Sequence, residues 1–217
     1  MIVKVCGMRE SQNISDVIAA GANCIGMTFY PKSPRMVSAV PEIAEDIRRV
    51  GVFVNAAPAE IIDKIARYRL DMVQLHGSES PDTLRALHSA APGVRLIKAI
   101  SVAGAEDIAQ YRQYEDCADL LLFDTKCAGM GGSGRHFDWS VLSHYRGTTP
   151  FLLSGGIGPG DAGRIAAFSH PMLAGIDLNS RFETAPAVKD AALLRKFINE
   201  VRKIKRSKRE LEGDRRS

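Results

Sequence analysis

Short runs of apolar, often β-branched residues alternate along the whole chain with segments whose apolar positions recur at helical spacing. Ile2–Cys6 is the first strand-like run. Behind it Ile14, Val17 and Ile18 share one helical face before Gly21, a residue suited to ending a helix. Cys24–Phe29 reads as a second strand and Tyr30–Arg35 as a turn-rich loop. Ile43 and Ile47 then mark a second helix, and Val50–Val54 a third strand. Pro58 opens a helix bearing Ile61, Ile62 and Ile65, Met72–Leu75 is a strand, and Ser80-Pro81 starts a helix carrying Leu84 and Leu87. Val94–Ile100 is a strand, Ala105–Tyr111 a helix, and Leu120–Phe123 a strand apolar at every position. The Gly-rich loop Gly129–Gly134 precedes a short helix near Trp139–His144. The strand Phe151–Leu153, the helix Asp161–Phe168 and the strand Leu173–Asp177 follow. The closing helix places Leu194, Phe197, Ile198 and Val201 at i, i+3, i+4 and i+7, and is expected to end near Ile204.

This pattern comprises eight strands and eight helices. Near-continuous apolar strands between helices mean a parallel sheet covered by helices. Eight such units predict a single-domain α/β protein, a closed (β/α)8 TIM barrel over residues 1–202, since an open doubly wound sheet would use about five. Residues 203–217 form a basic tail, expected to be disordered or a frayed helix.

Composition narrows the partners. At 217 residues, 45% hydrophobic and 25% charged, the chain has ordinary globular character. No apolar run approaches the roughly 18–20 residues of a membrane span. The N-terminus enters apolar structure without a signal-peptide pattern, so a cytoplasmic location and no membrane partner are expected. The tail from Lys203 carries the whole net charge of +4, and the body is neutral. With 6% aromatics and one Trp, that body lacks the basic face and stacking platforms of a nucleic-acid binder. Cys6, Cys24, Cys117 and Cys127 form no Cys-x-x-Cys pair, and the histidines show no ligand-like spacing. Neither a disulfide framework nor a metal site is expected. Monomer and homodimer stay open.

A (β/α)8 barrel keeps its active site at the C-terminal ends of its strands. The polar residues standing there are Cys6, Arg35, Asn55, Gln74 to His76, Asp124, Ser154-Gly155-Gly156 and Asp177-Leu178-Asn179-Ser180, with Lys98 inside the fifth strand. Barrel phosphate sites commonly use the loops after strands 7 and 8. Gly155 and Gly156 let the backbone approach an anion, while Asn179 and Ser180 add donors; a plain tight turn is the other reading. Cys6 and Asp124 form a candidate acid–base pair across the mouth. A thiol acts as a base only as thiolate, and a carboxyl acts as an acid only if burial or nearby negative charge keeps it protonated. Asp124 ends an all-apolar strand. A lone cysteine is otherwise a small core residue, which is how Cys24, Cys117 and Cys127 are read. Arg35, stiffened by Pro34, offers a planar fork to a substrate carboxylate, or else makes a surface ion pair.

At these residues the sequence resembles the phosphoribosylanthranilate isomerase family. The matching segments include Lys4-Val5-Cys6-Gly7-Met8, Phe29-Tyr30-Pro31-Lys32-Ser33-Pro34-Arg35, Gly51-Val52-Phe53-Val54-Asn55 and Val73-Gln74-Leu75-His76-Gly77. Asp124-Thr125-Lys126, leading into Gly131-Gly132-Ser133-Gly134, then Phe137-Asp138-Trp139 and Leu153-Ser154-Gly155-Gly156-Ile157 complete the set. The resemblance implies an Amadori rearrangement of N-(5-phosphoribosyl)anthranilate, a phosphosugar, in tryptophan biosynthesis, without metal or cofactor. It implies Asp124 as general acid at the ribose ring oxygen and Cys6 as general base at C2′. Arg35 would hold the anthranilate carboxylate, with phosphate on the Gly155-Gly156 and Asn179-Ser180 loops. The chain departs from the family at Arg181, where glycine is usual, and at Pro186-Ala187-Val188-Lys189-Asp190. An arginine there implies an ordinary negative φ. Its side chain either folds over the phosphate or lies outward, and the outward pose is expected because backbone donors of the two loops already satisfy the anion. A ribulose-phosphate epimerase would instead group His and Asp as a metal site, and a scaffold barrel would not need Cys6, Asp124 and Arg35 together.

Overall fold

The apolar runs form eight strands: β1 (Ile2–Val5), β2 (Cys24–Thr28), β3 (Arg48–Phe53), β4 (Met72–Leu75), β5 (Arg95–Val102), β6 (Leu120–Thr125), β7 (Phe151–Leu153) and β8 (Leu173–Leu178). Each pairs in parallel with the next, and β8 returns to β1 to close the barrel. The computed structural model describes residues 1–44, 46–125 and 138–214, with side chains through residue 207. The Gly129–Gly134 loop and Cys127 lie outside the described residues.

Strand residues alternate between two cores. One set, including Cys24, Val52, Ile97 and Leu122, fills the barrel interior. The other, including Val5, Phe53, Phe123 and Ile176, meets the surrounding helices. Those helices are α1 (Ser11–Ala19), α2 (Pro58–Tyr68), α3 (Pro81–Ala90), the short α4 (Ala105–Ile108), α5 (Ala162–Ala167) and α6 (Ala191–Asp214). Proline stands at the start of α2 and α3, and the Ser80 hydroxyl accepts from the Thr83 N–H as a cap. The segment Trp139–His144 is a 3-10 helix.

Among the described residues no helix forms around Ile43 and Ile47, so the count of eight helices is corrected. Ile47 is buried as the lead into β3, and the guanidinium of Arg49 donates to the carbonyls of Ile43 (3.1 Å) and Ala44 (3.4 Å). The Ala44 carbonyl would otherwise accept from the N–H of Arg48 one helical turn on, but Arg48 is committed to the β3 ladder. Two isoleucines four apart do not make a full apolar stripe.

Two features of the C-terminal region position the site. The apolar face of α6 is buried at Leu194, Phe197, Ile198 and Val201, and the helix continues past the expected end near Ile204 to Asp214. Before it, β9 (Glu183–Ala185) and β10 (Val188–Lys189) form a small antiparallel hairpin that the sequence pattern did not reveal. The side chain of Asn13 clamps the hairpin by exchanging two 2.8 Å hydrogen bonds with the Lys189 backbone. Among the described residues no helix is long and apolar enough to cross a membrane.

Candidate active site

The C-terminal mouth of the barrel holds a cavity of about 380 Å3. Cys6, Arg35, Asp124, Gly155, Gly156, Asn179 and Ser180, the full set of expected site residues, all line it. Strand order explains the convergence. β1 neighbours both β2 and β8, so Cys6 stands between the Arg35 loop and the Asn179-Ser180 loop, and β7 brings Gly155-Gly156 beside the latter.

Cys6 extends the β1–β8 ladder by one step, its N–H donating to the Leu178 carbonyl at 2.8 Å. Its side chain occupies space that Gly26 of β2 leaves empty. A Cβ at Gly26 would stand 2.8 Å from Cys6 Sγ and 3.2 Å from Lys4 Cε. Lys4 is fully buried, and its ammonium pairs with Asp177 at 2.8 Å across β1 and β8. Burial pushes the Cys6 thiol above its ordinary value; the Lys4 ammonium pulls it the other way without prevailing. Burial likewise pushes Cys24, deeper in the interior, up to about 12.

Asp124 belongs to β6 rather than following it, and it is not sealed among apolar groups. A quarter of its side chain is exposed, Oδ1 accepts from the Thr125 N–H at 2.8 Å, and Oδ2 lies 3.3 Å from His76 Nε2. Gln74 holds the other ring nitrogen of His76 at 2.9 Å, and its own Oε1 is buried without a partner among the described residues. Gln74, His76 and Asp124 thus form a chain from the barrel interior to the cavity. His76 was visible in the sequence as a strand-end residue, but nothing local marked it as the partner of Asp124.

Arg35 makes an ion pair, though inside the mouth rather than on the surface. Nε and Nη2 donate to the two oxygens of Glu183 at 2.8 and 2.6 Å, with the side chains 14% and 7% exposed. Lys189, buried, donates to the same carboxylate at 2.5 Å and to Asn179 Oδ1 at 2.8 Å. Burial pushes the Glu183 carboxyl up, but the hydrogen bonds from Arg35 and Lys189 more than offset it and leave it below its ordinary value. The Arg35 arm crosses Gly7, where a Cβ would come within 2.6 Å of Arg35 Cδ, and Gly7 holds φ +76°. Glu183 escaped the sequence reading because its partner Arg35 is 148 residues away, and Lys189 joins the site only through Glu183 and Asn179.

In the β7 loop, Gly155 and Gly156 adopt φ +87° and +70° in succession, which an L-residue would resist. Arg181 has no such conformation; it sits in a 3-10 turn after β8, exposed at the cavity rim. The negative φ expected of it is observed.

The fold and these groups define a (β/α)8-barrel enzyme with acid–base and cationic side chains gathered at the strand C-termini. The family model for N-(5'phosphoribosyl)anthranilate (PRA) isomerase matches residues 3–200. The N-(5'-phosphoribosyl)anthranilate isomerase of Parabacteroides distasonis is 50% identical over 208 residues, covering 93% of each chain. Among solved structures, phosphoribosyl anthranilate isomerase from Thermotoga maritima is 32% identical with TM-score 0.80, covering 93% of this chain and 99% of that one. Another superposes with TM-score 0.77 at 29% identity, covering 93% and 99%, and holds reduced 1-(o-carboxyphenylamino)-1-deoxyribulose 5-phosphate. This chain belongs to the N-(5'-phosphoribosyl)anthranilate isomerase family and is an isomerase.

Proposed function

We propose that this chain performs the family's rearrangement, within tryptophan biosynthesis in the cytoplasm, with Asp124 and Cys6 as the two proton-transfer groups. Asp124 gives its proton to the ribose ring oxygen of N-(5-phosphoribosyl)anthranilate, the bond from that oxygen to C1′ breaks, and a C1′–nitrogen double bond forms. Cys6, as thiolate, takes the C2′ proton and is left as thiol. The resulting enolamine tautomerises to 1-(2-carboxyphenylamino)-1-deoxyribulose 5-phosphate as the C2′ hydroxyl loses its proton to water and C1′ gains one from water. Arg35 holds the anthranilate carboxylate. Gly155, Gly156, Asn179 and Ser180 hold the phosphate, where glycine backbone and short polar side chains suit an anion.

The observation that carries this reading is that a thiol and a carboxyl, each at a different strand end, line one cavity with a guanidinium and the two loops. His76 orients Asp124, and the fixed ammonium of Lys4 favours the thiolate that Cys6 must become. The test is product identity in D2O. The rearrangement places one deuterium on C1′ of the ketose, seen by NMR; recovery of unchanged substrate, or a ketose without that deuterium, would contradict it.

A further inference from the structure

Arg35 meets Glu183 with the side of its guanidinium. Nε and one Nη2 hydrogen are taken, and Nη1 has no protein partner among the described residues. A guanidinium has two edges that fit a carboxylate in two-pronged fashion, the Nε–Nη2 side and the Nη1–Nη2 end. Glu183 therefore consumes one edge and leaves the other, on a residue that lines the cavity.

Glu183 is itself held from three directions. Besides Arg35, its Oε1 accepts from Lys189 and from the Ala187 N–H at 3.1 Å. Ala187 is buried and held at φ +69°, a region an alanine enters only under constraint from its surroundings. The hairpin carrying all three is pinned by Asn13 on α1. Arg35, Glu183 and Lys189 together carry one net positive charge, enough for one carboxylate.

We propose that Glu183 is a positioning residue that makes the site selective for an N-aryl ribose phosphate bearing a ring carboxylate. It locks the side edge of Arg35 so that only the end edge meets ligand. The proposal rests on the assignment of Arg35 to the substrate carboxylate.

The test measures, by calorimetry, the Kd of two unreactive product analogues: 1-(2-carboxyphenylamino)-1-deoxyribitol 5-phosphate and its phenylamino counterpart without the carboxylate. In Glu183→Gln, which breaks one of the two prongs, the preference for the carboxylated analogue falls by about tenfold or more. The carboxylate-free analogue stays within about threefold of its wild-type Kd under the same reasoning. Glu183→Asp keeps the charge but cannot reach Arg35 and Lys189 together, and shows the same selective loss; it decides the matter should the Gln variant fail to fold. An equal weakening of both analogues, or no change in either, overturns the proposal. Arg35→Ala separates the two levels: if it leaves the preference intact, the carboxylate assignment itself fails. If it abolishes the preference while the Glu183 variants keep it, only the role of Glu183 fails.

Discussion

Lys4 and Asp177 meet at 2.8 Å where β1 and β8 close the ring, and the lysine side chain has no solvent exposure. Both charges have left water, so their attraction must offset a large desolvation cost, and either one alone would be strongly unfavourable. Burial works against the charged lysine, yet the Asp177 carboxylate more than compensates and holds the ammonium above its ordinary range.

Lys4→Met is accordingly expected to lose roughly 3–5 kcal/mol of stability, because it strands the Asp177 carboxylate. Lys4→Met combined with Asp177→Leu removes both charges and recovers most of that loss. Urea unfolding curves check it. A double variant no more stable than the single one would mean that packing, not charge, is at stake.

The alkaline side of the pH profile follows from two raised values. Lys4, raised in the folded state, contributes stability that is complete below its ordinary 10.5 and lost as pH climbs through the higher folded value. Cys6 is also raised, so above its ordinary 9.0 the unfolded chain releases a proton that the folded one keeps, and stability falls. Thermal unfolding temperature is expected to decline above pH 9, and iodoacetamide labelling of Cys6, followed by mass spectrometry, to rise with pH without levelling below 9. A labelling rate already at its plateau at pH 7 would show a pre-formed thiolate.

Much of this architecture is legible in the sequence. Leu120–Phe123 is apolar throughout, as suits a strand covered on both faces, and Leu194, Phe197, Ile198 and Val201 announce a docked helix. Closure into a barrel then put Cys6, Asp124 and the two loops at one mouth. What stayed hidden depended on long-range register. The Lys4–Asp177 pair spans 173 residues and the Arg35–Glu183 pair 148. Nor does spacing alone show that Ile43 and Ile47 lie outside a helix, where Arg49 captures the carbonyls of Ile43 and Ala44.

His76→Asn breaks the 3.3 Å contact to Asp124 Oδ2 while leaving the carboxyl in place. Loss of orientation alone is expected to lower kcat by up to about 100-fold. KM should move by less than about threefold, because the role assigned to His76 is to orient Asp124 rather than to bind substrate. An unchanged kcat in steady-state assays would show that Asp124 needs no partner.

Arg181→Gly tests the departure at the β8 loop. Arg181 has an ordinary backbone and an exposed side chain, so the phosphate is expected to rest on the backbone and short side chains instead. The change in kcat/KM is expected to stay below about fivefold, under roughly 1 kcal/mol. A loss near 100-fold, concentrated in KM and steeper at low salt, would make Arg181 a phosphate ligand.

The most direct measurement follows the fluorescence of N-(5-phosphoribosyl)anthranilate as wild type, Cys6→Ser and Asp124→Asn are added in turn, with circular dichroism confirming that each variant is folded. Wild type is expected to consume the signal. Each variant removes one proton transfer and is expected to lower kcat by roughly 10²–10⁴-fold. A folded variant that kept more than about a tenth of the wild-type kcat would contradict the assignment of Cys6 and Asp124 as the acid–base pair.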